Sequence, residues 1–382
     1  MAFFRSERYA AFLLIGAAAI GLLLANSPAG PALLAAKGLP LGISAVGFEL
    51  SAGHWITDGL LAIFFFIAAI ELRHELTHGE LDTGRKALVP TLAAVGGVIV
   101  PAVIFLVVVG DGKLAAGWPI PTATDIAFAL GVLAIVGRGL PTRIRVLLLA
   151  IAVIDDLIAI LIIAAFFTTN LQPLPLLLAV PVILLFGWLS YRVKKRGSRA
   201  VLVALIALGG AAWFLVYLSG IHPTVAGVAL GLIMAGRSAR VTRHTIEPWS
   251  NGLILPLFAF AAALVPLPSA GIDTLSPAFW AIIIALPVGK LVGITAGAMI
   301  AVGLSPKASG GRMPLADVIT VASLGGIGFT VSLLLNELAY EGNVEIAHEG
   351  TLAVLIASLI AATLGAVLTI VRSSHYRRIN AA

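Results

Sequence analysis

Two carboxylates stand side by side, Asp155 and Asp156, in the run VLLLAIAVIDDLIAILIIAAFF (146–167), which is otherwise apolar. At about 1.5 Å rise per residue the run is long enough to cross the ~30 Å hydrocarbon core of a bilayer. The pair falls near its middle, roughly 15 Å from either end. A charged carboxylate at that depth costs about 2.5–3.5 kcal/mol on insertion scales. Two of them require partners, an aqueous cavity or a bound cation. Desolvation raises a buried carboxylate's pKa and a nearby cation lowers it. A group held between those influences can carry either a proton or a metal cation, which is the minimum needed to exchange one for the other. Adjacent helical positions point about 100° apart, so the two aspartates are expected to do different work.

Further residues could join them. Lys290 is the one Lys or Arg inside a hydrophobic span (278–302). It lies too deep to snorkel to an interface. It is either a structural ion-pair partner or a proton carrier whose pKa falls on burial. Asp125 lies in GWPIPTATDIAFALGV (117–132), where Pro119 and Pro121 remove backbone donors. There it can cap a helix, and capping does not exclude a role with the ion. Thr122 and Thr124 can bond freed backbone groups, and Thr124 can also offer an oxygen to a hard cation. Asp58 reads as an interfacial carboxylate near the outer end of its span. His222, beside Pro223, reads as a loop or interface residue. Glu71, His74, Glu75 and His78 read as a solvated charge cluster.

These residues need a membrane around them. The chain has 382 residues, 60% hydrophobic and only 11% charged, with a mean hydropathy of +1.08. Soluble domains are about 25% charged. The expected fold class is therefore an all-α polytopic membrane protein forming a single transmembrane domain over 1–382. With no cysteine there is no disulfide framework and no thiolate metal site. The net charge of +6 does not imply nucleic acid, because the basic residues are spread over short loops. No cofactor is expected, and no P-loop motif is present.

Twelve hydrophobic spans can be read: 9–25, 55–72, 87–109, 114–137, 146–168, 173–191, 200–218, 222–235, 249–265, 278–302, 318–336 and 351–371. The first follows Arg5 and Arg8, but eleven spans come after it and ANSPAG is a poor cleavage context, so it reads as a helix and not a signal peptide. Of 24 Lys and Arg residues, all but Lys37, Lys113 and Lys290 fall on one side of this alternation. They include Arg73, Arg85 and Lys86; Arg138, Arg143 and Arg145; Arg192, Lys194, Lys195, Arg196 and Arg199; Arg237, Arg240 and Arg243; Lys307 and Arg312; and Arg372, Arg377 and Arg378. The positive-inside rule then places both termini in the cytoplasm. The last outer loop carries Glu337, Glu341, Glu345 and Glu349.

Two spans carry helix-breaking sequence: the fourth, with Pro119 and Pro121, and the eleventh, ASLGGIGFTVS (322–332). Breaks at membrane depth survive only where other groups satisfy the backbone. The two spans hold matching places in the triplets three to five and ten to twelve, which begin on opposite sides. That is an inverted-topology repeat, and paired breaks in such repeats point to an ion site at the midplane.

ATDIAFALGV (123–132) followed by AIAVIDDLIAI (150–160) resembles the signature of NhaA-type bacterial sodium/proton antiporters. WITDGLLAIFF (55–65), IELRHELTHGEL (70–81), VPTLAAVGGVIVPA (89–102), SGIHPTVAGVALG (219–231), PWSNGLILPLFAFA (248–261), VGKLVGI (288–294) and GGIGFTVS (325–332) also have counterparts there, so the resemblance covers essentially the whole chain. This family is itself one of the known cases of inverted repeats with paired helix breaks. The resemblance implies Na⁺ or Li⁺ exchanged for H⁺ across a bacterial inner membrane, under pH regulation. It implies that Asp156 is the principal ion ligand, and that Asp155 either binds as well or pairs with Lys290. It implies that Asp125 compensates the N-terminal ends of the broken helices and Lys290 the C-terminal ends. It also implies that Glu71, His74, Glu75, Arg240 and His244 contribute to pH sensing, with Asp58 and His222 accessory. The family motif has Asn where this chain has Thr57.

Loop 38–54 can form a two-stranded outer hairpin. The resemblance implies that it joins two protomers, giving a homodimer in lipid. Two other functions use similar parts. A sodium-coupled organic-anion symporter is disfavoured because the aspartate pair would repel its substrate. An intramembrane aspartyl protease needs two carboxylates on separate helices sharing a proton. Asp125 and one of the pair could supply them, but Lys290 and the breaks would then have no purpose. Electrogenic exchange, with more than one proton per sodium ion, is expected because two carboxylates serve one monovalent ion.

Overall fold

The computed structural model describes residues 7–43, 48–79, 81, 83–168, 170–192, 199–234, 236–267, 275–304 and 313–381. Arg5, Lys194, Lys195, Arg196, Lys307, Arg312, the side chain of Arg85 and the hairpin tip 44–47 lie outside the described residues.

In hydrocarbon a chain must satisfy its own N–H and C=O groups, and helices do this locally. The described chain is accordingly almost all helix. α1 (Glu7–Ala25) and α2 (Gly30–Lys37) lead to an antiparallel ribbon of β1 (Pro40–Ile43) and β2 (Phe48–Ser51), with Pro40 opposite Ser51. α3 (Ala52–His54), a π-type turn (Trp55–Leu60) and α4 (Leu61–His78) form one helical run. Next come α5 (Gly84–Val109), two 3₁₀ turns (Lys113–Gly117 and Ile120–Thr122), α6 (Ile126–Val136) and α7 (Thr142–Phe166). α8 (Pro173–Arg192), α9 (Arg199–Leu218) and α10 (Thr224–Ile233) follow. α11 (Gly236–Trp249) continues through a π-type turn (Ser250–Ile254) into α12 (Leu255–Ala262). α13 (Pro277–Ile284), a third π-type turn (Ala285–Gly289) and α14 (Lys290–Leu304) make another run. α15 (Leu315–Gly325), α16 (Phe329–Ala339) and α17 (Val344–Ala381) complete the chain.

Among the described residues nine helices are long and apolar enough to cross a membrane, or ten if α15 and α16, bent by 47° at their break, count as one. The sequence reading has twelve. The difference lies at 222–235 and 249–265. α10 has only ten residues, about 15 Å of helix. The second segment is the apolar end of a run whose first half, α11, carries Arg237, Arg240, Arg243, His244 and Glu247. Both boundaries of the last outer loop differ as well. α16 runs to Ala339 and α17 starts at Val344, so Glu337, Glu345 and Glu349 are helical and not in a loop; Glu349 accepts the Ser276 N–H at 2.9 Å, at the start of α13.

Phe12, Leu23, Val107, Leu161, Leu177, Ile206 and Leu359 point outward, while Asp125, Asp155, Asp156, Lys290 and Asp317 are buried. This apolar exterior around a charged interior suits a lipid solvent. α5 and α14 touch through glycine. A Cβ on Gly293 would meet the Gly96 backbone, and one on Gly297 would meet Leu92. Small residues let membrane helices approach this closely. Lys290 lies one turn before Gly293, so this contact delivers it to the interior.

Candidate functional site

The two breaks meet. Residues 123–125 lie between the 3₁₀ turn at Ile120–Thr122 and α6, with Ala123 and Asp125 extended. Residues 326–328 separate α15 from α16. The Asp125 N–H donates to the Ile327 carbonyl at 2.6 Å, and the Thr124 hydroxyl donates to the Gly325 carbonyl at 2.7 Å. Each interruption thus satisfies backbone that the other exposes, which is what a break at this depth requires.

Asp125 holds both helix starts. Its Oδ1 accepts the Phe128 N–H at 2.9 Å, capping α6. Its Oδ2 accepts the Thr330 N–H at 3.2 Å and the Thr330 hydroxyl at 2.7 Å, in the first turn of α16. A carboxylate between two helix N-termini offsets their positive partial charge.

α7 carries the aspartate pair, and both residues are buried. The Lys290 ammonium donates to Asp155 Oδ2 at 2.5 Å, and both side chains are almost wholly buried. Asp155 Oδ1 and Asp156 Oδ1 are buried and accept no hydrogen bond among the described residues. Such orphaned oxygens are uncommon and call for a ligand or a function. Asp156 also lines a cavity of about 220 Å³ together with Glu71, Arg145, Arg243, Glu247, Ser250 and Asn251. Asp156 thus shares this cavity with Arg145, Arg243 and Glu247. Among the described residues no three His, Asp or Glu side chains converge to hold a resident metal.

The residues further out separate into two places. Glu71 is ion-paired with Arg243 at 2.8 Å, and Arg243 approaches Glu247 at 3.8 Å. His74 and Arg240 line a cavity of about 630 Å³ with Arg73, His78 and Arg243, and the His74 and His78 rings stack at 5.8 Å. Glu75 and His244 are not on its lining. Asp58 differs from the interfacial carboxylate expected. It is 7% exposed. It accepts the Thr57 hydroxyl at 3.1 Å and sits 3.3 Å from His222 Nε2. His222 is therefore not a free loop residue: the turn before α10 folds it against the π-type turn that holds Asp58, and its Nδ1 meets the Thr224 hydroxyl at 2.7 Å. The Trp213 indole donates to the Asp58 carbonyl at 2.8 Å.

Sequence reasoning missed Thr330, the carbonyls of Gly325 and Ile327, and Asp317. Thr330 was detectable, since it is a hydroxyl two residues past a glycine break. Backbone carbonyls carry no sequence signal. Asp317 reads as an ordinary acid at a span boundary, yet it is fully buried.

Fold and site define a class: a polytopic α-helical membrane protein that encloses ionisable groups where two helix breaks cross. A family model described as Na⁺/H⁺ antiporter 1 matches residues 1–369. The chain is 52% identical over 382 residues to Na⁺/H⁺ antiporter NhaA 2 of Clavibacter michiganensis subsp. michiganensis, covering 99% of this chain and 93% of that one. It is 44% identical to Na⁺/H⁺ antiporter NhaA of Tropheryma whipplei, covering 96% and 94% of the two chains. It is 42% identical to the NhaA antiporter of Thermobifida fusca, covering 99% and 95%. The chain belongs to the Na⁺/H⁺ antiporter 1 family, whose members are transporters and not enzymes.

Proposed function

We propose that this protein exchanges cytoplasmic Na⁺, or Li⁺, for external H⁺ at Asp156 and Asp155. The observation that carries this reading is the pair of adjacent buried carboxylates, each with one oxygen that no donor among the described residues occupies. Oxygen donors of this kind suit a hard monovalent cation. Among the described residues Asp156 has no cationic hydrogen-bond partner, and it faces the cavity, so it is the principal ligand. Asp155 is bound to Lys290 and acts as the second carboxylate. Lys290 holds Asp155 when no cation is bound and is free to release or take up a proton as the pair reorganises. Thr124 and nearby backbone carbonyls supply further oxygens. Asp125 serves the helix ends and not the ion, because both its oxygens are engaged there.

In this reading the cavity beside Asp156 opens to the cytoplasm, and sodium enters along Glu71 and Arg243. Glu71, His74, Glu75, Arg240 and His244 tune that entrance with pH. The buried Asp58–His222 pair belongs to the closed outer side. In the same reading the chain crosses a bacterial inner membrane twelve times with both termini in the cytoplasm, and the β1–β2 ribbon on the outer surface joins a homodimer. The protease alternative loses support because Asp125 cannot share a proton while its oxygens bind two helix starts. The organic-anion alternative gains none from a site whose free groups are carboxylate oxygens.

Everted membrane vesicles carrying the protein test the reading. After respiration has acidified the lumen, added Na⁺ or Li⁺ should release protons, and K⁺ should not. Folded protein that gives no Na⁺-dependent proton movement would overturn it.

A further inference from the structure

A second buried carboxylate cluster lies away from the aspartate pair. Asp317 sits in the first turn of α15 and is fully buried. Its Oδ1 accepts the Arg372 Nε at 2.6 Å, and its Oδ2 accepts the Arg143 Nη2 at 3.1 Å and the Tyr376 hydroxyl at 2.7 Å. Arg143 also donates to the Tyr376 hydroxyl at 2.7 Å, and the Arg372 guanidinium lies 4.9 Å over the Tyr376 ring. The neighbouring Ser373 hydroxyl donates to the Arg138 carbonyl. Both Asp317 oxygens are occupied, so unlike Asp156 it offers nothing to a cation.

The cluster's importance lies in what it ties together. Arg143 is in the first turn of α7, the helix that carries Asp155 and Asp156. Asp317 is eight residues before Gly325 on α15, about 12 Å along the axis. At that far end the Gly325 carbonyl accepts from Thr124 and the nearby Ile327 carbonyl accepts from Asp125. Arg372 and Tyr376 lie on α17. One buried acid therefore joins the carboxylate-bearing helix to the half-helix whose end meets the other break. Loss of the acid would leave two guanidinium groups facing each other without their anion, so α15 would have to move.

We propose that Asp317 is a positioning residue for ion exchange: with Arg143, Arg372 and Tyr376 it latches α15 to α7 and α17, and so sets the Na⁺ affinity of a site it does not touch. This rests on the ion-site reading above, and the experiment separates the two. Full-length protein is reconstituted in proteoliposomes, and apparent KM for Na⁺ and maximal rate are measured. Asp317→Asn should raise KM about tenfold while the rate per folded molecule stays within about twofold, the scale of coupling through remote residues. Asp317→Asn with Arg372→Gln should restore most of the affinity, because the second change removes an uncompensated charge. Tyr376→Phe, which keeps both ion pairs, should raise KM about two- to threefold and serves if Asp317→Asn does not fold. An unchanged KM in folded Asp317→Asn or Tyr376→Phe overturns the latch, as does a double variant worse than the single one. Asp156→Asn is measured alongside. If it still exchanges, the ion-site reading fails; if it is inactive and the latch variants keep wild-type KM, only the latch fails.

Discussion

A carboxylate that binds sodium must also let it go, and in the proposed mechanism the means is a competing proton. Asp156→Asn keeps the shape of the side chain but cannot trade a proton for a cation. It should abolish Na⁺-driven proton release in everted vesicles, and Asp155→Asn should severely impair it; wild-type exchange in a folded Asp156→Asn protein would remove Asp156 from the mechanism. The same competition gives a pH dependence whose sign is fixed. Lowering the pH protonates the carboxylates and removes ligands, so apparent Na⁺ affinity should fall with pH, by up to about tenfold per unit for each proton displaced. A flat affinity between pH 6 and 9, by titration calorimetry on purified protein, would mean that proton and sodium use separate groups. Lys290 has a different part. It is fully buried against Asp155, and removing one member of such a pair costs about 3–5 kcal/mol because the other charge is stranded. Lys290→Ala should lose thermal stability accordingly, whereas Lys290→Arg should keep transport with an altered pH profile. An alanine variant that melts with the wild type would show that Asp155 does not depend on Lys290.

At the scale of elements the site is a meeting of interrupted helices. α6 and α16 begin at membrane depth, where their first N–H groups have no water to bond. Asp125 answers both, and the carbonyls at Gly325 and Ile327 are answered by Thr124 and the Asp125 backbone. The breaks are therefore stable as a pair and not singly. The helix that brings in Lys290 depends on close packing instead. A Cβ on Gly293 would strike the Gly96 backbone and approach Val100. Gly293→Ala should destabilise the protein by about 1–3 kcal/mol through overpacking. It should also displace Lys290, lowering exchange. Thermal unfolding of detergent-solubilised protein checks the first effect, and a melting curve equal to wild type would contradict the close approach of α5 and α14.

For the whole molecule the question is which gradient drives export. One-for-one exchange draws only on the pH difference, which vanishes in alkaline medium. Two protons per sodium move one net charge, worth about 2.3 kcal/mol per 100 mV. At about 1.4 kcal/mol per tenfold, that alone sustains roughly a 40-fold sodium gradient. Asp155, Asp156 and Lys290 provide enough titratable groups for the second proton. In liposomes with no pH gradient, a potential set by K⁺ and valinomycin should drive ²²Na⁺ movement in the direction its sign dictates. Uptake indifferent to the potential would exclude electrogenic coupling while leaving exchange itself intact.

Hydropathy alone made the chain a helical membrane protein, because so apolar a chain has no other stable solvent. The cost of charge in hydrocarbon singled out Asp155, Asp156 and Lys290, since nothing else explains them at that depth. Proline and glycine marked both helix breaks, since they act on the backbone locally. Contacts between residues far apart in the chain were not legible. Asp155 and Lys290 are 135 residues apart, and Asp125 and Thr330 are 205. No local pattern could choose which of Asp155 and Asp156 takes the lysine, because both lie on the same helix and the choice depends on where α14 packs. For the same reason Asp58 read as an interfacial acid until the turn before α10 placed His222 against it. Asp317 carried no mark at all: an acid at a span boundary is ordinary, and only the convergence of α7, α15 and α17 turns it into a buried anion between two arginines.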